Sequence, residues 1–180
     1  MVNTEIINNW IDKNREDILI TLSDLIKIKT INRPPDGNEK LGQEYLYNKI
    51  SKFVPESSID IFDVIDVEGI QENNLFEHVI DGVERNYKER PNLVARLKGS
   101  GRGRSLVFSG HMDTVGVREE EWNVFKDPFS GNIKDGKMYG RGTLDMKAGL
   151  ISGFFALKCL SDLKIKLKGD VFAESVVDEE

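Results

Sequence analysis

Cysteine is almost missing: Cys159 is the only one in 180 residues, which excludes an internal disulfide and any zinc module built on paired cysteines. Long apolar runs are missing too. No stretch approaches the about 18 residues of a membrane span, and the opening MVNTEIINNW has neither a basic n-region nor an apolar h-region. A cytoplasmic protein with no membrane partner is expected. Positive charge is in deficit, with 25 Lys+Arg against 31 Asp+Glu, a net charge of −6 and a pI near 5.1. Dedicated nucleic-acid binding needs a basic footprint, so it is excluded as the main role. Low-complexity tracts and internal repeats are absent. What is present is ordinary globular composition, 39% hydrophobic with 16 glycines, at a length that lets one domain bury about 70% of its unfolded surface without staples.

Ile7, Trp10, Ile11, Ile18, Leu19, Leu22, Leu25 and Ile26 recur at helical steps, which predicts one amphipathic helix or two over Thr4 to Ile28, with a break near Lys13 to Glu16. INRPPDGNEK (31–40) is loop by its Pro, Gly and Asn. Leu41, Tyr45, Leu46, Ile50 and Phe53 share one face of a second helix, and SSIDIFDVID after Pro55 reads as a strand or edge strand. Glu68 to Arg90 is polar and acidic, a surface excursion with weak helical spacing. NLVARLKG and SLVFSGH flank SGRGR, which predicts two strands paired through a tight turn. The glycines at 99, 101 and 103 do not form a dinucleotide loop, because position 104 is Arg and no helix follows. Asp135-Gly136 is a hairpin signal, MKAGLISGFFALKCLSDL a buried helix, and GDVFAESVVDEE a returning strand. Apolar runs alternating with helices predict an α/β layered domain whose mostly parallel central sheet is flanked by helices.

Three short patterns carry chemistry. His111 and Asp113 follow the apolar run LVF; residues two apart on a strand face the same side, and strand ends are where ligands bind in open α/β sheets. A carboxylate beside an imidazole suits metal ligation, and so does a plain loop hydrogen bond. Asp145 follows two glycines in YGRGTLDMK, just before the buried helix, where it serves equally as a helix cap. Asp178, Glu179 and Glu180 close an apolar strand, and three adjacent carboxylates repel unless a cation holds them or water solvates them. Together, one His and several carboxylates at strand ends form an oxygen-rich set that fits a pair of divalent ions. His78, without a partner at ligand spacing, reads as a surface residue, Cys159 as a small core residue and Arg118 to Glu121 as a solvated loop; Lys147 is given no role.

GHMDTV, then Trp122, Pro128 and Phe129, then DGKMYGRGTLDMK, then DEE, in this order and spacing, resemble the metallopeptidase family of aminoacylases, acetylornithine deacetylases, succinyl-diaminopimelate desuccinylases and related carboxypeptidases. The likeness runs from roughly Asn92 to Glu180. It implies a zinc-exopeptidase-like fold and a binuclear hydrolase acting on the amide bond of N-acyl amino acids or short peptides. By that resemblance His111 is a ligand of one ion, Asp145 bridges both, and Glu180 is a ligand of the other. Asp113 resembles the carboxylate that clamps the imidazole, and Glu179 the general base for a metal-activated water. Two divalent ions are implied, zinc first, with cobalt or manganese as alternatives. The resemblance also implies a cis peptide bond after Asp145. Ala148 stands where the family often has Gly, and Val177 where it often has Ala; both changes are small and apolar. The family's further acidic ligand, late histidine ligand, lid or dimerisation domain and remaining strands follow the DEE block. Residues 1–180 are therefore expected to be the N-terminal portion of a catalytic domain, incomplete at its C-terminal side and inactive alone, with a homodimer open to the full-length protein. The alternatives are a non-catalytic metal- or partner-binding relic of the fold and another co-catalytic metallopeptidase.

Overall fold

The computed structural model describes residues 3–55, 58–118 and 122–180. It opens with α1 (Thr4–Lys27), one unbroken helix capped by Asn3, whose side chain accepts from the amide of Ile6. No helix break occurs at Lys13 to Glu16. A small hairpin follows, β1 (Asn32–Arg33) with β2 (Asp36–Gly37), and then α2 (Lys40–Ile50). β3 (Ile59–Asp63) covers the middle of the SSIDIFDVID segment, whose first residue, Ser57, lies outside the described residues. The excursion from Glu68 to Arg90 contains a short hairpin, β4 (Val79–Ile80) with β5 (Val83–Glu84), in place of the weak helix its spacing suggested. β6 (Pro91–Leu97) and β7 (Leu106–His111) are the two expected strands. β8 (Asn132–Lys134) and β9 (Lys137–Tyr139) form the hairpin at Asp135-Gly136, where both residues take positive φ, 51° and 72°. α3 (Ala148–Asp162) and β10 (Val171–Val176) complete the chain. Glu119 to Glu121, most of the expected solvated loop, lie outside the described residues.

The main sheet has the order β3-β6-β10-β7. β10 pairs parallel with β7 and antiparallel with β6, and β3 pairs antiparallel with β6. The sheet is mixed, which corrects the expectation of a mostly parallel one. The cause lies in the connections. Only β7–α3–β10 has a helical crossover, which a parallel pair requires, and the other links reverse the chain. A second correction concerns β6 and β7, which are not neighbours: β10 lies between them. The link from Gly99 to Arg104 instead grips the approach to β10, with the amide of Gly99 donating to Asp170 Oδ1 at 2.7 Å and that of Arg102 to the Lys168 carbonyl at 2.9 Å. A side chain at 99 would meet the Gly169 oxygen at 2.3 Å, so the close approach requires glycine there.

α3 packs on β6, β7 and β10 and against α1, while α2 packs on β6 and α1. Phe154, Leu157, Leu25, Ile26, Leu46 and Leu93 meet in one buried core. Cys159 belongs to that core, as expected, and His78 is exposed, stacked on Phe76. No helix among the described residues is long and apolar enough to cross a membrane.

Candidate metal centre

His111 ends β7 and is buried. Its Nδ1 lies 3.0 Å from the Asp113 carbonyl, which can only accept, so Nδ1 carries a proton. In the neutral ring Nε2 then presents its lone pair to the acidic cluster, 3.2 Å from Asp145 Oδ1 and 3.5 Å from Glu179 Oε2. The ring is thus oriented by the Asp113 main chain. The Asp113 carboxylate Oδ1 stands 3.6 Å from Nδ1 and has no hydrogen-bond partner. Its Oδ2 has a different task, accepting the successive amides of Glu179 and Glu180 at 3.0 and 2.9 Å. Two consecutive N–H groups converging on one anion make a small concavity of fixed partial charge.

Asp145 sits in an irregular turn, Thr143–Lys147, entered through Gly142 at φ 82°. A side chain at 142 would press Thr114 Cγ2 at 2.8 Å, so both the backbone and the space require glycine. Asp145 itself is non-helical (φ −122°, ψ 104°) and precedes α3 by three positions, so it is not the cap of that helix. The Asp145–Met146 peptide bond is cis. The carboxylate is 73% exposed and turned to His111. Lys147, left without a role by the sequence, is wholly buried; its Nζ donates to the carbonyls of Leu25 and Ile28 at 3.0 and 2.9 Å, tying this turn to the end of α1. Burial pushes its ammonium down to about 7.

The ligand atoms of His111, Asp145 and Glu180 all lie within 4.8 Å of one another, and Glu179 borders them at 62% exposure. No lysine or arginine among the described residues forms an ion pair with Asp145, Glu179 or Glu180. Burial, then the Asp145 charge, pushes the Glu180 carboxyl up, with Asp113 and Glu179 adding to the effect against the opposing pull of His111. A nitrogen and several oxygens with no lysine or arginine ion-paired to them among the described residues fit a divalent ion.

Asp178 faces elsewhere. Its side chain is 3% exposed, and its partners are Asn32, Tyr87, Arg90 and Arg85. Burial alone would raise its carboxyl, but hydrogen bonds from Tyr87 and Asn32 and the Arg90 guanidinium outweigh it and hold the group below the usual carboxylate range. Arg90, equally buried, forks onto Glu39 at 2.8 and 3.0 Å. Asn32 reaches this place because the Thr30–Asn32 segment docks on Met112–Thr114, with Asn32 N donating to the Thr114 carbonyl at 2.9 Å and Thr114 N to that of Thr30 at 2.9 Å. Sequence reading missed Asn32, Glu39, Tyr87 and Arg90. They lie in segments read as a loop and a surface excursion, and no local pattern marks them.

Residues 107–180 match the family model described as peptidase family M20/M25/M40. Along most of its length the chain is similar to N-formyl-4-amino-5-aminomethyl-2-methylpyrimidine deformylase of Halalkalibacterium halodurans, 35% identical over 94% of this chain and 34% of that protein. Among solved structures it is similar to human carnosine dipeptidase 1, at a TM-score of 0.63 and 17% identity over 93% of this chain and 33% of that one. It is also similar to the Bacillus subtilis YXEP protein, a dinuclear metal binding peptidase, at a TM-score of 0.50 and 16% identity over 91% and 35%. The chain spans about a third of the length of these relatives.

Proposed function

The chain belongs to peptidase family M20/M25/M40, and from that premise we propose that it serves a binuclear hydrolase that cleaves the amide bond of N-acyl amino acids or short peptides. The observation that carries this reading is the convergence of His111 Nε2, Asp145 and Glu180, with no arginine or lysine ion-paired to them among the described residues. A deformylase and a dipeptidase among the similar proteins both open amide bonds, which supports the reaction class. His111 and Asp145 would hold one ion and Asp145 and Glu180 the other, zinc being first choice and cobalt or manganese the alternatives. When bound, such ions polarise the scissile carbonyl and lower the pKa of water towards ~7.

The remaining work falls to the chain. Glu179 Oε2 takes the proton from the attacking water and returns it to the leaving amine nitrogen, a role its exposure and its place beside the ligand set allow. Asp113 orders the pair of glutamates through their amides, and its main-chain carbonyl fixes the tautomer of His111. His111, Asp145 and Glu180 give each of two ions about two protein groups, where catalytic zinc normally has three and an open position. Further ligands must therefore come from outside these residues, which supports reading residues 1–180 as the N-terminal portion of a catalytic domain. The test is a pair of substitutions in the complete protein. Glu179→Ala should lower kcat by roughly 10²-fold or more with metal content retained, while Glu180→Ala should lose metal. Equal metal loss in both would overturn these roles.

A further inference from the structure

We propose that Asp178, backed by Asn32 and Arg90, is a positioning group that sets where the Glu179 and Glu180 carboxylates point, and is itself neither metal ligand nor proton carrier. The proposal rests on the hydrolase reading above. In sequence the three acids of the DEE triplet look equivalent, yet both oxygens of Asp178 are committed. Oδ1 accepts from Asn32 Nδ2 at 2.9 Å and Arg90 Nη2 at 3.1 Å; Oδ2 accepts from the Tyr87 hydroxyl at 2.9 Å and lies 3.8 Å from Arg85 Nε. Its backbone takes φ 67°, a left-handed conformation that short polar residues such as Asp tolerate better than most. That conformation turns the chain after β10, so that the Asp178 side chain enters the Arg90 network while the next two carboxylates stand by His111.

The turn is held from both sides. Asn32 Nδ2 also donates to the main-chain oxygen of Glu180 at 2.7 Å, and the amides of Glu179 and Glu180 bind Asp113 Oδ2. With this backbone pinned, the remaining freedom of Glu179 and Glu180 is in their side chains. Arg90 suits the anchoring role because its planar fork serves Glu39 and Asp178 at once, which a lysine's single ammonium does not reproduce. Removing a partner that orients a metal ligand typically costs about 10- to 100-fold in metal affinity or activity.

The test uses the complete protein with cobalt(II) as probe, followed by calorimetry and by the visible absorption that reports ligand geometry. Asp178→Asn should weaken cobalt binding by about 10-fold or more and shift the absorption bands; Arg90→Lys should do the same, and Tyr87→Phe should act in the same direction by a smaller factor. With an N-acyl amino acid substrate, kcat should fall while KM stays near its parental value. A folded Asp178→Asn protein with parental cobalt affinity and bands would overturn the proposal, since a merely structural role would lower the melting temperature alone. If Asp178→Asn does not fold, Tyr87→Phe decides: parental affinity and spectrum overturn the proposal. An unaltered protein that binds no cobalt would overturn the hydrolase reading itself, and the proposal with it.

Discussion

On one side of the turn at Asp178–Glu180, the carboxylates of Glu39 and Asp178 are buried against Arg90; on the other, Asp145, Glu179 and Glu180 gather round one imidazole with no arginine or lysine ion-paired to them among the described residues. The residue types are the same, and three of the acids, Asp178, Glu179 and Glu180, are consecutive in the chain. Pairing separates them. On the Arg90 side hydrogen bonds and positive charge hold the Asp178 carboxyl down, whereas on the His111 side burial and neighbouring negative charge push that of Glu180 up. The same kind of side chain is thus fixed by a counter-charge on one side and gathered without an ion-paired lysine or arginine, among the described residues, on the other.

Breaking the paired side should have the largest effect. Arg90→Met leaves Glu39 as an uncompensated buried charge and takes from Asp178 the nearer of its two guanidinium partners, and should lower stability by about 3–5 kcal/mol, read as a fall in the urea midpoint at constant slope. The Glu179→Ala loss of roughly 10² in kcat comes next, equivalent to about 2.7 kcal/mol of barrier, and it should leave the urea midpoint unmoved. Glu180→Gln sharpens the contrast by having two signs at once. It removes one charge from a repelling cluster, so the melting temperature of the metal-free protein should rise, while the zinc affinity measured by calorimetry should fall. Smallest of all should be Lys27→Ala, which removes an exposed pair with Asp24 one helical turn away; about 0.3–0.5 kcal/mol is expected, a small shift in thermal melting. A Lys27→Ala loss as large as that of Arg90→Met would dissolve the distinction drawn between the two kinds of pair.

Much of this was legible from local patterns. The helical spacing of α1, the Asp135-Gly136 turn and the strand character of β6, β7 and β10 are properties of short windows, and those elements stand where their windows place them. Strand neighbours were not legible, because an apolar run says that it will be buried and not beside what. Hence β6 and β7 were paired in expectation and are parted by β10 in the fold. The acidic and imidazole groups of the site were found because each follows a strand or a glycine turn. Asn32, Tyr87 and Arg90 were missed because they meet Asp178 from across the chain, at sequence separations of 146, 91 and 88. Lys147 was readable as a residue next to Asp145, but nothing local announced that the end of α1 would receive it.

The placement of β10 has a consequence for the order of events during synthesis. β6 and β7 leave the ribosome first, and the strand that joins them begins only at Val171. At about 5–20 residues per second this is a wait of several seconds, during which both strands present bare edges that invite pairing with another chain. For this nascent polypeptide, shielding by a chaperone over that interval is expected to matter more than it would for a sheet built from successive hairpins. The same late strand carries Asp178, Glu179 and Glu180 into place, so β6 and β7 are joined and the acidic residues meet His111 in one step.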